Sequence, residues 1–261
     1  METLESLKNQ SLTDFEVIIV DDCSTDDTVA KVKNYCARND NFKVIELEHN
    51  SNRPAVARNI GIKNSEAKFI AFCDHDDIWS RNKLDRQLQV VLNRADTVMV
   101  HSNLWDFTKK SRMLGLFLLP NPYRRITSYK NLQKNNTVQT SSVLIYRQIL
   151  DELGGFDDRI ELRAIEDYQL WLRVSEKYKI LYISENHGYY RHTKISTSKQ
   201  NSLKSKHLFL DNYENTVIYK NRKSLIFRLF RKILGYPLAI YYHLIDAPIR
   251  VWLGVYPRTF E

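Results

Sequence analysis

KFIAFCDHDDIW, residues 68–79, is an apolar run of strand type that breaks into three acids, Asp74, Asp76 and Asp77, set around His75. Carboxylates this close disfavour one another's ionisation unless solvent, a basic partner or a cation stands among them. A strand that delivers such a cluster at its carboxyl end belongs to a chemistry-bearing loop. The surrounding sequence repeats the arrangement. FEVIIV (15–20) ends in Asp21 and Asp22. FKVIEL (42–47), TVMVHS (97–102), SSVLIY (141–146) and KILYIS (179–184) are further strand candidates.

Helical periodicity fills the intervals. TVAKVKNYCARN places Val29, Val32 and Cys36 on one face, and SRNKLDRQLQVVLNRA does the same with Leu84, Leu88, Val91 and Leu92. AVARNIGIKNSEA and IEDYQLWLRVSEKY (165–178) also read as helices. Strands alternating with helices predict an α/β fold with a mostly parallel sheet, whose ligands bind beyond the carboxyl ends of the strands. Residues 107–136 read as a loop-rich insertion.

Asp74 and Asp76 are two residues apart and point the same way in an extended segment. Together they suit a hard divalent cation, which takes one or two carboxylates plus phosphate oxygens and water. No glycine-rich phosphate loop is present, so a diphosphate would be neutralised by the metal. Ser24 or Thr25 can cap the helix after Asp22, and Asp76 or Asp77 can cap the helix near Ser80, but capping uses one acid at most. A response-regulator receiver also ends its first strand in paired acids, yet no lysine ends a later strand in the required order. Glu166 and Asp167 open a helix, where its dipole favours their charge.

The chain has 261 residues and a formal net charge of +8. Residues 191–261 hold 13 basic and 4 acidic side chains, whereas residues 1–190 hold 26 and 27. A near-neutral body thus carries a basic tail suited to an anionic surface. Within 220–256, Leu225, Ile226, Leu229 and Ile233 can share a face flanked by Arg222, Lys223, Arg228 and Lys232. That pattern fits an amphipathic helix on an anionic membrane, or one packed on its own domain. No nucleic-acid motif accompanies the charge, so no nucleic-acid partner is expected. No run of 18 apolar residues exists, and Met1–Gln10 is polar and charged, unlike a secretory signal. Three cysteines without metal-type spacing are expected as free buried thiols of a reducing compartment.

Four segments in order, VDDCSTDDT, NSNRPAVARNIGIKNSEAKFIAFCDHDDIW, GGFDDRIELRAIEDYQLWLR and YYRHTKIS, resemble family 2 of the glycosyltransferases, across residues 2–200. The resemblance implies the GT-A nucleotide-sugar fold over 1–200, followed by a basic helical region over 201–261. It implies that Asp22 binds the base, that Arg58 and Asn59 lie near the nucleotide-sugar, and that Asp74 and Asp76 form a D-x-D motif. Asp76 is then the principal ligand of Mg²⁺ or Mn²⁺, and His192 approaches the metal or diphosphate. Gly154 and Gly155 match a glycine loop beneath the acceptor. Asp167, with Glu166 beside it, matches the motif that supplies the general base. Trp171 reads as core.

The implied function is inverting transfer of a sugar, from a UDP-sugar by expectation, to a hydroxyl of a glycan or lipid-linked acceptor in surface glycan synthesis. The expected location is cytoplasmic, peripheral on the inner face of the membrane. The competing reading is a catalytically dead glycosyltransferase-like fold that binds carbohydrate or a partner enzyme. Family members open with a strand of the type VSIIIPTYN, and METLESLKNQ matches the helix after it. A chain that starts at Met1 would leave a gap beside the neighbouring strand, so the expectation is that Met1 is an internal methionine, the alternative being a truncated product with little activity.

Overall fold

The computed structural model describes residues 1–107, 115–116 and 126–191, all within one compact unit. The chain opens with helix α1 (Glu2–Lys8), strand β1 (Val17–Asp21), helix α2 (Thr28–Cys36) and strand β2 (Phe42–Glu46). Helix α3 (Pro54–Lys63), strands β3 (Phe69–Ala71) and β4 (Ile78–Trp79), helix α4 (Lys83–Leu92) and the long strand β5 (Thr97–Phe107) follow. Short strands β6 (Gly115–Leu116) and β7 (Ile126–Thr127) and helix α5 (Tyr129–Leu132) come next. A 3-10 turn at Thr140–Ser142 leads into strand β8 (Val143–Tyr146) and helix α6 (Arg147–Leu153). Helix α7 (Glu166–Lys177) and strand β9 (Lys179–Arg191) complete the described chain.

The expected α/β architecture is present, but the sheet is not mostly parallel. Among the described residues β1 pairs only with β2, in parallel, as a sheet of its own. The larger sheet has the order β3-β8-β5-β9-β4, with β6 on β5 and β7 on β9. Only β5 and β9 run parallel in it; its other pairings are antiparallel. β3 and β5 share one direction, while β4, reached from β3 by a tight turn, runs against β9 and so against β5. The chain then returns in the opposite sense as β8, between β3 and β5, and reverses both contacts. Among the described residues, the edge of β1 away from β2 has no strand partner.

The main core lies between the larger sheet and α5, α6 and α7. Met99, Val143, Ile145, Leu150, Leu170, Trp171, Val174 and Ile180 are fully shielded from solvent. Each such side chain stabilises the fold by about 1.5–3 kcal/mol relative to exposure. Trp171 is core, as its spacing predicts, packed edge-on against Phe156. A second cluster joins α1 (Leu4, Leu7) to Tyr35, Phe42, Trp79 and Leu84, with Val17, Ile19, Ala71 and Cys73 half-buried against it.

Helix α4 departs from its apolar spacing. It buries Lys83, Leu84, Gln87 and Val91 and turns Leu92 to solvent. The sequence expectation for Leu92 fails because the buried face is completed by polar side chains with internal partners. The cysteines are free and half-buried rather than fully buried. The basic tail, including 220–256, lies outside the described residues, as does the proposed second region at 201–261. No helix of the described residues is long and apolar enough to cross a membrane.

Candidate active site

β3 ends at Ala71, and the chain passes through buried Phe72 into a tight turn, closed by the Asp77 N–H donating to the Asp74 carbonyl at 3.1 Å. β4 then leaves in the antiparallel direction against β9. This turn carries the acids. α1 holds it from one side: the Thr3 hydroxyl donates to the His75 carbonyl at 2.8 Å, and Ser6 accepts the Trp79 N–H at 3.1 Å. Arg191, the last residue of β9, holds it from the other. Its Nε donates to the Asp76 carbonyl at 2.8 Å and its backbone N–H to Asp77 at 3.0 Å. The guanidinium also pairs with Glu2 at 2.6 Å and sits over the Phe107 ring.

The acids then divide by environment. Asp77 is buried, and burial, then Asp74, pushes its carboxyl up to about 8. Asp74 gives Oδ1 to Arg58 at 2.9 Å. Asp76 is half-buried, its backbone carbonyl gripped by Arg191. Asp76 and the second oxygen of Asp74 are hard oxygen donors on one turn, a set that fits Mg²⁺ or Mn²⁺ completed by phosphate oxygens. Among the described residues, no three His, Cys, Asp or Glu side chains cluster as a complete metal cage. His192 lies outside the described residues.

Arg58 joins this loop to the second acidic centre. Its Nη1 contacts Glu166 Oε1 at 2.7 Å while Nη2 holds Asp74, and its guanidinium lies 5.4 Å from the Phe156 ring centroid. Burial opposes the charge on Arg58, but Asp74, Glu166 and Asp167 outweigh it and raise the guanidinium above its ordinary value. Glu166 is buried and committed to this bridge. Asp167, one residue on, keeps part of its surface open. Its Oδ1 accepts the Tyr168 N–H at 2.6 Å and its Oδ2 the Thr140 hydroxyl at 2.8 Å. Protein atoms packed around the carboxyl, and then the charge of Glu166, push it up to about 6, against the opposing pull of Arg58.

Two expected binding residues are engaged with the protein. Asn59 exchanges both amide bonds with Phe156, donating to its carbonyl at 2.8 Å and accepting its N–H at 2.9 Å. This explains Gly155: a Cβ there would lie 2.5 Å from Asn59 Oδ1, and the backbone has φ +68°. Gly154 is the left-handed cap of α6. Asp22 accepts the Ser51 N–H at 2.7 Å, its hydroxyl at 2.9 Å and the Asn52 N–H at 3.2 Å. It thereby fixes the loop leading into α3, which carries Arg58. Cys23, Asn52 and Ala164, beside these residues, have left-handed φ of 63°, 55° and 72°. Strain of this kind gathers at sites that need a fixed backbone.

Comparison with known proteins identifies the family. The family model described as Glycosyl transferase family 2 matches residues 1–154. The chain belongs to that family. It is 31% identical over 182 residues to TuaG of Bacillus subtilis, a protein named for teichuronic acid biosynthesis, covering 67% of this chain and 66% of TuaG. It is 29% identical over 172 residues to the Escherichia coli UDP-Glc:alpha-D-GlcNAc-diphosphoundecaprenol beta-1,3-glucosyltransferase WfgD, covering 66% of this chain and 62% of WfgD. The chain thus spans about two thirds of the length of these relatives.

Among solved structures, Staphylococcus aureus TarS 1–349 in complex with UDP superposes with a TM-score of 0.62 at 22% identity, over 83% of this chain and 62% of that one. A Pyrobaculum calidifontis mannosyltransferase in complex with GDP-Man and Mn²⁺ superposes at 0.58 and 16% identity, over 80% of this chain and 59% of its own. These likenesses establish the GT-A fold that the sequence motifs implied.

The sequence reading missed Thr140, Ser141, Arg191 and Thr3 as parts of this framework. Arg191 stood in a quoted motif, YYRH. The hydroxyl residues had no signal, because a Ser or Thr beside a strand is ordinary.

Proposed function

We propose that the protein is an inverting glycosyltransferase that moves a sugar from a nucleotide-sugar to a hydroxyl of a surface-glycan acceptor. One observation carries the reading. A half-buried acid with a raised pKa, Asp167, and an acid turn bearing Asp74 and Asp76 are locked to one framework through Arg58 and Glu166. Titratable groups pushed away from their ordinary values beside a charge cluster mark candidate catalytic sites.

In this reading Asp167 accepts the proton of the acceptor hydroxyl, a role worth about 10²- to 10⁴-fold in rate. Arg58 keeps Glu166 and Asp74 paired, so that their negative charge does not drive Asp167 into permanent protonation. Asp76 and Asp74 would hold Mg²⁺ or Mn²⁺, which when bound supplies positive charge at the departing diphosphate. Asp22, Asn59 and their loops shape the nucleotide side. UDP is the proposed nucleotide, supported by the UDP-Glc named for WfgD and the UDP bound to TarS. A diphosphoundecaprenol-linked acceptor, as named for WfgD, and the basic residues of 220–256 support placement at the inner face of the membrane.

Calorimetric titration of UDP with and without Mn²⁺ tests the donor site. Metal-dependent binding that Asp76→Ala abolishes is expected. Asp167→Asn is expected to keep that binding and to lower sugar transfer about 10²- to 10⁴-fold. Binding of neither UDP nor GDP by the folded chain overturns the donor assignment. Binding without transfer to any glycan or lipid-linked acceptor favours a carbohydrate-binding protein of the same fold.

A further inference from the structure

Thr140, Ser141 and Ser142 are all buried, an unusual concentration of hydroxyls at the entry of a core strand. Each is tied to a different element. The Thr140 hydroxyl donates to Asp167 Oδ2 on α7 at 2.8 Å. The Ser141 hydroxyl accepts the Asp74 N–H at 2.9 Å, and its carbonyl accepts the Trp79 indole N–H at 2.9 Å. The Ser142 hydroxyl donates to the Gln139 carbonyl at 2.7 Å, and the Ser142 carbonyl accepts from Gln87 at 2.7 Å. Neighbouring residues of one turn thus grip the acid loop after β3 and the acid that opens α7.

Hydrogen bonds explain why the hydroxyls are needed. Valine has nearly the shape of threonine and would fill the same space, but it would leave Asp167 Oδ2 without its donor. The charges facing Asp167 are Glu166 beside it and Arg58 from α3, with Asp74 on the far side of Arg58. Glu166 and burial favour protonation; Arg58, the Thr140 hydroxyl and the Tyr168 N–H favour the carboxylate. The Thr140 and Tyr168 donors take different oxygens and so fix the plane of the carboxylate as well.

Building on the transferase reading, we propose that Thr140 is the positioning residue of Asp167. It holds the carboxylate ionised and aimed, while Ser141 fixes the same turn against the acid loop at Asp74. The donor to the base therefore comes from the turn that also sets the base's place relative to the leaving-group side of the site.

The test reads Asp167 directly and then through activity, in Thr140→Val, Thr140→Ser and wild type. Thr140→Ala is carried alongside in case the valine does not fold. Carbon-13 carboxyl NMR of the ligand-free chain gives the Asp167 midpoint. It is expected near about 6 in wild type and near that value in Thr140→Ser. In Thr140→Val or Thr140→Ala it is expected to rise by about one unit, the worth of one hydrogen bond to a carboxylate. The acid limb of kcat/KM for transfer should move up with it. Below the midpoint the rate then falls about tenfold, while the high-pH plateau changes far less. An unmoved midpoint in a folded variant lacking the hydroxyl, or a uniform rate loss at every pH, overturns the inference. Failure of Thr140→Ser to restore the midpoint does the same. A wild-type chain without transfer would overturn the transferase reading alone, because the NMR midpoint still decides what Thr140 does.

Discussion

β1 reads VIIVD and β5 opens TVMVH, two apolar, β-branched stretches of the same kind. They end up in different surroundings. Every residue of β1 is half-buried, whereas Met99 and Val100 of β5 are fully shielded. The difference is in the neighbours. Among the described residues β5 is flanked by β8 and β9, and β1 has β2 alone. Composition makes a segment competent to be a central strand, but the strands on either side determine how much apolar surface it removes from water. The candidate site draws on both regions. Asp22 and the α3 loop belong to the half-open side, and Asp167 with Thr140 belongs to the closed one.

The most direct way to break this comparison is a pair of identical truncations. Ile145→Ala on β8 removes a fully buried side chain and is expected to cost about 2–5 kcal/mol. Ile19→Ala on β1 removes a half-buried one and should cost roughly half as much or less, in proportion to the area it covers. Urea denaturation of both variants measures the difference. Equal losses would mean that the outer edge of β1 is covered in solution as thoroughly as the middle of the large sheet.

Much of this arrangement was legible from the sequence because it depends on periodicity. The strand at 17–21, the acids closing β3, the helix opening on Glu166–Asp167 and the buried Trp171 all follow from patterns that apolar burial imposes. Strand direction after β5 was not legible, since an antiparallel return through a long insertion leaves no periodic mark. Polar residues that face inward escaped for a related reason. Lys83 and Gln87 look like a solvated helix face, and their bond to each other, the Trp79 ring and the carbonyls of Ser142 and Val143 make their burial tolerable. Asn59 likewise reads as a ligand contact, and its support of the Gly155 turn left no mark in the sequence.

Lys83 sharpens the comparison at the seam between the two regions. Its Nζ lies 3.8 Å from the Trp79 ring centroid and 2.8 Å from Gln87 Oε1, with no exposed surface. Burial pulls its pKa down to about 7. The folded value lies below the unfolded one, so between pH 7 and 10 the unfolded chain binds the extra proton. Stability therefore rises with pH across that window. Each pKa unit corresponds to about 1.4 kcal/mol, so between pH 7.5 and 9.5 wild type should gain on the order of 2 kcal/mol relative to Lys83→Met. Denaturation of both proteins at each pH isolates this residue from other titrations. Parallel pH curves would show that Lys83 keeps its charge through contacts with water or a counter-ion.

The smallest expected stability effect bears on the boundary where Asp167, the proposed base, is aimed. Ala164 holds φ at 72°, two residues before Glu166, and Ile165, which precedes α7, gives it no side-chain cap. A left-handed alanine costs about 1–2 kcal/mol. Glycine at this position relieves that strain but gives back about 0.4–1 kcal/mol through the greater freedom of the unfolded chain. Ala164→Gly should therefore raise stability by between about zero and about 1.6 kcal/mol. Its effect on transfer should have the opposite sign if the left-handed entry to α7 helps present Glu166 to Arg58 and keep half-buried Asp167 in place. A folded variant with a slightly higher Tm and a lower kcat would place the strain in the service of the site. A variant that gains stability and keeps its full kcat would show that the Arg58 bridge and the Thr140 hydrogen bond suffice to aim Asp167 without it.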